Sequence, residues 1–242
     1  MISTLFRKIE AISWLRIAYR LMWWGLRVLP ILIVMDIGYL IGIWPDWESY
    51  EQGPAPRSQF ILAYELEQHS QDGWRRLHWR PVSMDKIPQC MIRAVIIAED
   101  ARFFSHSGVD IEALKAAMEY NLSEKKLVLG GSTISQQTVK NLFLDVSRNP
   151  LRKWHELVLT LGMERSLSKR RILDIYLNVA EFGRGIYGVD AAARFYWGVP
   201  ASRLTDRRCM ELAATLPSPV RHNPGSRTRS FHKRVAKIQR YF

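Results

Sequence analysis

The sequence predicts a mainly α-helical protein that consists of one N-terminal transmembrane helix followed by a single helical domain. Three observations support this fold class. Residues 21–44 form a nearly uninterrupted apolar stretch, close to the roughly 20 residues that a spanning helix needs. After Pro88, apolar side chains recur at spacings of three and four, the period of an amphipathic helix. Without the apolar stretch, about 200 of the 242 residues remain, which is the size of one domain.

Residues 21–44 are predicted to be an uncleaved membrane anchor. Trp23, Trp24 and Trp44 lie near the two ends of the stretch, where aromatic side chains meet the membrane interface. The positive-inside rule predicts that residues 1–20 are cytoplasmic and that the rest of the chain is exported. The basic residues that precede the stretch are Arg7, Lys8, Arg16 and Arg20, and Arg27 lies near its start. No small-residue cleavage signature surrounds Trp44 and Pro45, so the segment is not expected to be removed.

Asp36 lies near the middle of the predicted anchor, where an ionisable group costs on the order of 3 kcal/mol on insertion scales. We therefore hypothesise that its carboxylate meets a polar group on a partner helix in the membrane. The alternative is that residues 21–44 form a buried amphipathic helix of a soluble protein.

The chain has a formal net charge of +12, of which +9 belongs to residues 45–242. A positive surface of this size indicates an anionic partner, such as nucleic acid, an anionic membrane surface or a phosphorylated substrate. Cys90 and Cys209 form no C-x-x-C pair, and the six histidines have no metal-ligand spacing, so no zinc or redox motif is indicated. Buried free thiols are the simplest interpretation of the cysteines, and a disulfide between them stays open if the domain is exported.

A juxtamembrane linker and the start of the exported domain are predicted at residues 45–78, and the main domain at residues 79–242. Prolines, a glycine and acids in PDWESYEQGPAPR indicate the linker. Short strands or extended segments are predicted at residues 58–66 and 74–83. Helices are predicted, with turn residues between them, at residues 88–104, 111–121, 133–144, 150–166, 168–181, 188–197, 205–216 and about 228–241.

The stretch AEDARFFSHSG (98–108) places two adjacent carboxylates after an apolar run. In a helix, Glu99 shares a face with the apolar residues three and four positions before it. Burial there disfavours the charged carboxylate, so we expect the pKa of Glu99 to rise toward the range in which it exchanges a proton near neutral pH. Asp100 is expected to orient neighbouring groups or to cap the next turn, and His106 to add a hydrogen bond. The alternative is that Glu99 is a cap or pairs with an arginine such as Arg102.

The segment GGSTISQQTVKNLF (130–143) contains Thr133 and Gln136 at the spacing of a capping box, which predicts the start of a helix. Polar side chains at spacings of three and four are predicted to form a stripe of donors on this helix: Thr133, Gln136, Gln137, Lys140 and Asn141. A helix start with free backbone N–H groups, followed by donors and a lysine, suits a phosphate-bearing ligand. The alternative is an ordinary amphipathic helix with a solvated polar face.

The segment SRNPLRKWHELVL (147–159) brings Arg148, Arg152 and Lys153 within two turns of Glu156 on a predicted helix. Two arginines are able to hold phosphate oxygens in a bidentate way. The alternative is a surface pair between Arg152 and Glu156, which contributes only about 0.3–0.5 kcal/mol. Taken in isolation, this segment favours the surface pair.

Four segments taken together resemble, in the same order, the successive motifs of the peptidoglycan glycosyltransferase family, glycosyltransferase family 51. They are EDARFFSHSG, GGSTISQQTVKN, RKWHE and KRRILDIYLNVAEFGRGIYGVDAAARFYWG (169–198), within a match from about Trp79 to Pro219. The resemblance implies a lysozyme-like fold of two lobes, a head and a jaw, with a cleft next to the bilayer. It also implies that the chain polymerises lipid II, a disaccharide-pentapeptide on a lipid pyrophosphate, into peptidoglycan strands.

The resemblance further implies roles for the residues at matching positions. Glu99 matches the general base that takes the proton from the GlcNAc 4-hydroxyl of the acceptor. Glu156 matches a second carboxylate, which assists at the pyrophosphate or holds the geometry of the site. Contacts to the donor pyrophosphate are implied for Lys140, Arg148 and Arg152, with Lys153 nearby. Other site-lining positions are matched by Asp100, Phe103, His106, Ser132, Thr133 and Gln137.

The implied partners are lipid II, the growing glycan strand and membrane lipid, with the catalytic domain on the periplasmic side of a bacterial inner membrane. A divisome protein or a penicillin-binding protein is an expected partner of the membrane helix, whereas nucleic acid is not expected, because the anchor directs the domain away from it. No organic cofactor is expected, and a divalent cation, Mg²⁺ or Mn²⁺, at the pyrophosphate is left open.

Two rival functions differ from this expectation. A lysozyme-like enzyme that cleaves glycan would use Glu99 as a proton donor, but it needs neither a pyrophosphate-binding cluster nor a membrane anchor. A non-catalytic module that binds the envelope through its basic face would leave Glu99 dispensable. A polymerisation assay separates these functions.

Overall fold

The computed structural model describes residues 2–70, 75–124, 130–144 and 150–242, with the backbone alone for residues 2–18 and Pro150. The chain divides into two compact units, one up to Pro45 and one at Asp46–Phe242. The first unit is helix α1 (Ile2–Gly42), whose section Tyr19–Gly42 is long and apolar enough to cross a membrane. Nearly all side chains of that section are exposed in the isolated chain. The helix predicted at residues 21–44 is therefore confirmed up to Gly42, and α1 begins well before it.

The second unit is mostly helical. Its helices are α2 (Glu48–Glu51), α3 (Gln59–Ser70), α4 (Gln89–Glu99), α5 (Ile111–Ser123), α6 (Ile134–Phe143), α7 (Pro150–Ser166), α8 (Lys169–Val179), α9 (Val189–Trp197), α10 (Asp206–Thr215) and α11 (Arg229–Gln239). Its strands are β1 (His78–Trp79), β2 (Glu181–Gly183) and β3 (Ile186–Tyr187). The central strand β3 pairs in parallel with β1 and antiparallel with β2.

The core of the second unit is built around α8. Every residue of this helix from Ile175 to Val179 is buried, as are Ile172 and Leu173. Helix α6 packs against α7 and α8, while α10 packs against α4 and α11. A large apolar side chain that becomes fully buried contributes about 1.5–3 kcal/mol, so α8 anchors the helices that carry the candidate site.

Most predicted helices are confirmed within about two residues, but two predictions before residue 105 are wrong. The segment predicted as extended at 58–66 is part of α3, because Ile61 and Tyr64, one turn apart, pack together against Tyr187. The helix predicted at 88–104 ends at Glu99, since the next residue adopts a non-helical conformation and turns its side chain toward α6. The extended prediction at 74–83 is confirmed where β1 lies.

Two further features differ from the sequence-based expectations. The turn predicted at GRGIYG is a β-hairpin that joins β2 to β3, and the helix predicted to reach residue 181 ends at Val179. The preferred interpretation of Cys90 and Cys209 as free thiols is wrong, because the two residues form a disulfide, with Cα atoms 5.9 Å apart. The bond joins α4 to α10, whose close packing was not visible in the sequence.

Candidate active site

The carboxylate of Glu99 lies at the C-terminal end of α4, beside α6. Its Oε2 accepts a 2.7 Å hydrogen bond from Nε2 of Gln137. Its Oε1 is shielded from solvent and has no hydrogen-bond partner among the described residues. Burial raises the pKa of Glu99, while the Gln137 hydrogen bond and the charges of Lys140 and Arg234 act to lower it. The expected direction of the pKa shift is therefore confirmed.

The alternative interpretation of Glu99 as the ion-pair partner of Arg102 is excluded. The guanidinium of Arg102 instead holds Asp110, at 2.6 Å, and also contacts Glu112. Glu99 is thus a desolvated carboxylate with one accepting oxygen still available, which suits a general base.

A tyrosine fixes the orientation of the amide that holds Glu99. The hydroxyl of Tyr176, a fully buried residue of α8, donates a hydrogen bond to Oε1 of Gln137 at 3.2 Å. Burial and the charges of Glu99 and Asp100 raise the pKa of Tyr176 well above its usual value, so the phenol remains a donor. Because the amide oxygen accepts from Tyr176, its nitrogen faces Glu99.

Asp100 has a structural environment quite unlike that of Glu99. Its carboxylate accepts the backbone N–H of Ile134 at 2.9 Å and contacts Nε2 of His106 at 3.0 Å. The backbone N–H of Gly108 donates to Nδ1 of the same imidazole, which assigns the imidazole proton to Nε2 and directs it at Asp100. Of the two expectations for Asp100, orienting neighbouring groups agrees with these contacts, whereas a cap on the turn that follows it is not among them.

Gly108 explains why the EDARFFSHSG motif ends in glycine. Its φ of 101° lies in the region that side-chain-bearing residues rarely adopt. A Cβ atom at this position would also lie 2.8 Å from Cγ2 of Thr160 on α7. The carbonyl of Gly108 accepts the hydroxyl proton of Thr133 at 2.6 Å, so this turn fixes the start of α6.

The predicted capping box at the start of α6 is confirmed. Thr133 Oγ1 accepts the backbone N–H of Gln136, and Oε1 of Gln136 accepts the backbone N–H of Thr133. Two related expectations are wrong. Gln136 is buried in this box rather than lying on a polar stripe. Two of the first N–H groups of α6, those of Ile134 and Gln136, are not free for phosphate, because they donate to Asp100 and Thr133.

Lys140 lies one turn after Gln137 on the same face of α6 and is partly buried. Burial lowers the pKa of Lys140, and within the described part of the chain its ammonium group is acted on by the charges of Glu156, Arg152, Glu99 and Lys153. Both predicted catalytic carboxylates therefore act on one lysine. Lys140 is also the only cationic side chain of α6.

The first two turns of α7 bring cations and a buried acid to Lys140. Glu156 is only 3% exposed and forms an ion pair with Lys153, whose Nζ also donates to Oγ of Ser132 at 3.3 Å. The alternative prediction, a surface ion pair between Arg152 and Glu156, is therefore wrong. Arg152 has a shielded Nε without a hydrogen-bond partner among the described residues. Arg148 lies outside the described residues.

The predicted site residues thus separate into two groups. Those that converge on Lys140 are Glu99, Gln137, Arg152, Lys153, Glu156 and, through Lys153, Ser132. We call Lys140, Arg152 and Lys153 the cationic cluster. The other group is buried beneath them and supports their positions: Asp100, Phe103, His106 and Thr133. Phe103 is fully buried, and the Lys169 ammonium lies 4.5 Å from the centre of its ring.

A set of side chains with the composition of a metal site occurs within the described residues, but its groups already have protein partners. Asp100, His106 and Asp110 bring their ligand atoms within 4.8 Å of one another. Asp100 and His106 bind each other, while Asp110 caps α5 and holds Arg102. These three residues are therefore structural and do not fit a catalytic cation.

Sequence reasoning missed two residues that act on Glu99, Tyr176 and Arg234. Tyr176 lies within the fourth motif, but no role was predicted for it. Arg234 belongs to the basic C-terminal helix, and its charge acts on Glu99. The sequence signal that was available is that Arg234 lies between Phe231 and Ile238, on the apolar face of an otherwise basic helix.

The arrangement combines a desolvated carboxylate that is able to accept a proton with a nearby cluster of cations that is able to stabilise a departing anion. A family model described as Transglycosylase matches residues 60–241. A biosynthetic peptidoglycan transglycosylase of Nitrosomonas eutropha is 42% identical over 202 residues, covering 81% of this chain and 80% of that protein. The corresponding protein of Bordetella pertussis is 38% identical over 232 residues, covering 92% and 95%. This chain therefore belongs to the transglycosylase family.

Proposed function

We propose that this protein polymerises lipid II into the glycan strands of peptidoglycan. The observation that carries the proposal is the proximity of Glu99 to the cationic cluster: the charge of Lys140 acts on the Glu99 carboxylate, and the charge of Glu99 acts on the Lys140 ammonium. Family membership and the names of the relatives, biosynthetic peptidoglycan transglycosylases, support the same reaction.

In the proposed reaction, the 4-hydroxyl oxygen of the acceptor GlcNAc attacks the anomeric carbon of the donor, and the bond from that carbon to the pyrophosphate oxygen breaks. Glu99 takes the hydroxyl proton, for which its unpartnered Oε1 is available. The electron pair leaves with the lipid pyrophosphate, whose negative charge the cationic cluster stabilises without reorganising. Attack from the face opposite the leaving group inverts the anomeric centre, as in an inverting glycosidase with a sugar hydroxyl in place of water.

Glu156 is assigned a supporting role in this reaction. Its buried carboxylate is paired with Lys153, so it holds one member of the cationic cluster in place. It also acts on Lys140, whose ammonium it helps to keep charged against burial. Loss of Glu99 is therefore expected to impair proton transfer, and loss of Glu156 to impair stabilisation of the leaving group.

A lipid substrate is supported by apolar surface in both compact units. The section Tyr19–Gly42 of α1 fits a single-pass membrane anchor. In the second unit, α5 exposes Ile111, Leu114, Met118, Tyr120 and Leu122. Exposed apolar surface of this extent is typical of a membrane or protein contact. We infer that the chain is anchored in a bacterial inner membrane with its catalytic unit on the periplasmic side.

The proposal also concerns partner proteins and a divalent cation. We propose a divisome protein or a penicillin-binding protein as a partner of the membrane helix α1. Among the described residues, the cationic cluster provides the positive charge that a metal would supply at a pyrophosphate, so no step of the mechanism is assigned to Mg²⁺ or Mn²⁺. Polymerisation measured with and without EDTA tests whether the reaction needs such a cation.

The test is polymerisation of labelled lipid II by the full-length protein in detergent, with strand length read on a gel. Wild type is expected to make strands, while Glu99→Gln keeps the shape of the side chain, loses the base and falls in rate by about 10²–10⁴-fold. The matched control is Glu119→Gln, the same change at an exposed acid of α5, which is expected to polymerise normally. Polymerisation by Glu99→Gln at the wild-type rate would remove Glu99 from its role, and cleavage of finished strands would favour the lysozyme-like alternative.

A further inference from the structure

Arg234 brings a charged group of the C-terminal helix into the interior of the second unit. It lies on the same face of α11 as Phe231 and Ile238, which are buried. Helix α11 packs against α10 and also against α4, the helix that ends at Glu99. Within the described residues, Nη1 of Arg234 is shielded from solvent and has no hydrogen-bond partner. Leaving a buried donor unpaired costs about 1–3 kcal/mol, and more for a charged group, so its position calls for an explanation.

The positive charge of Arg234 acts on the Glu99 carboxylate, but the two side chains form no salt bridge among the contacts of the described residues. Oε1 of Glu99 is likewise shielded and unpartnered. The Arg234 guanidinium and the Glu99 carboxylate therefore interact electrostatically without a direct contact. A direct ion pair would occupy the carboxylate oxygen that must accept a proton, whereas a charge at longer range leaves it available.

We propose that Arg234 is a positioning residue that keeps Glu99 ionised while the donor substrate is bound. The inference rests on the proposed role of Glu99 as the general base. It assigns to the C-terminal helix a part in the reaction that its sequence, a basic amphipathic stretch, does not reveal.

Several charged or polar groups face Glu99 from the surrounding elements. Lys140 on α6 and Arg234 on α11 favour the ionised carboxylate, as does the hydrogen bond from Gln137, while Asp100 disfavours it. Tyr176 on α8 lies close enough for Glu99 to act on its phenol. Among the residues that the structure describes, Arg234 and Lys140 are thus the two cations that oppose the effect of burial on Glu99.

Substrate binding changes the balance between these two cations. When the donor pyrophosphate binds the cationic cluster, its negative charge offsets that of Lys140. Lys140 then no longer favours ionised Glu99 as strongly. Arg234 remains, because it lies outside the cluster on a different helix. Its contribution should therefore be larger in the enzyme–substrate complex than in the free enzyme.

The pH dependence of polymerisation tests this inference, because kcat reports groups in the complex and kcat/KM reports groups in the free enzyme. In Arg234→Gln, the acid limb of both profiles is expected to move to higher pH, with the larger movement in kcat. We expect kcat to fall on the order of threefold at pH 6 and to change little at pH 9, where Glu99 is ionised in either protein. Arg234→Lys restores the charge and should return the limb toward that of wild type.

The matched control is Lys233→Gln, which removes the same charge from an exposed neighbour on α11 and should leave both profiles unchanged. If Arg234→Gln fails to fold, as judged by circular dichroism, Arg234→Met keeps the apolar stem and takes its place. An equal loss of kcat at every pH, or a profile that does not move, would overturn the inference.

Glu99→Gln, assayed in the same series, separates the inference from the proposed function. If Glu99→Gln is inactive and the Arg234 variants do not shift the acid limb, the general base stands and the role of Arg234 is wrong. If Glu99→Gln polymerises at the wild-type rate, the proposed role of Glu99 fails, and the inference about Arg234 fails with it.

Discussion

The end of α4 and the first two turns of α7 each bring one glutamate to Lys140, but the two glutamates have different environments. At the end of α4, Glu99 receives one hydrogen bond from a neutral amide, and its other oxygen has no partner in the described part of the chain. On α7, Glu156 is almost fully buried and ion-paired with Lys153. A carboxylate that is desolvated and unpaired exchanges protons readily, whereas an ion-paired one holds its partner in position. In the proposed reaction, this difference favours Glu99 on α4 for the proton transfer and Glu156 on α7 for positioning the cations.

The largest loss of activity is expected from Lys140→Ala, because both glutamates act on Lys140. Loss of its charge removes stabilisation of the leaving pyrophosphate and should lower kcat by about 10²–10³-fold. Initial rates of lipid II polymerisation measure it, and Lys86→Ala, at an exposed lysine, is the control. A rate within a factor of about two of wild type would place Lys140 outside the reaction.

A smaller effect is expected from separating Glu156 from Lys153. Glu156→Gln and Lys153→Met should each lower kcat by about tenfold, since each leaves the cationic cluster less well positioned. Because the two residues act as a pair, the double variant should lose much less than the product of the single losses. Losses that multiply would mean that Glu156 acts independently of Lys153, as a second proton-transfer group.

The smallest expected effect is on stability, and it distinguishes the role of Glu99 from that of its neighbour Asp100. Burial raises the pKa of Glu99, so between its ordinary and raised values the folded protein binds more protons than the unfolded one, and stability falls as pH rises. Glu99→Gln removes that loss and should be more stable than wild type at pH 8, with the difference closing at acidic pH. Asp100→Asn should be less stable by about 1–3 kcal/mol, since it weakens buried hydrogen bonds to Ile134 and His106.

Thermal unfolding of the full-length protein in detergent, followed by circular dichroism at several pH values, measures both changes. A lower melting temperature for Glu99→Gln at pH 8 would mean that Glu99 stabilises the fold in the way that Asp100 does. The contrast between an available carboxylate and a structural one would then be wrong.

Features specified by residues close together in sequence were predicted well. Helix α7 has the predicted bounds, and the capping box of α6 joins residues three apart. The order of four motifs also led to the family that the comparisons identify. Features that join distant segments were not predicted. The bond from Asp100 to the backbone of Ile134 spans 34 positions, and the disulfide spans 119.

The sequence by itself determined the apolar helix, the succession of amphipathic helices and the residue types of the candidate site. Periodicity and capping depend on neighbours within one or two turns, so they are written locally in the chain. The tertiary structure decided which oxygen of Glu99 accepts the Gln137 hydrogen bond, which lysine pairs with Glu156 and that Arg234 reaches the interior. These outcomes depend on desolvation and on charges from separate helices, which exist only after the helices have packed together.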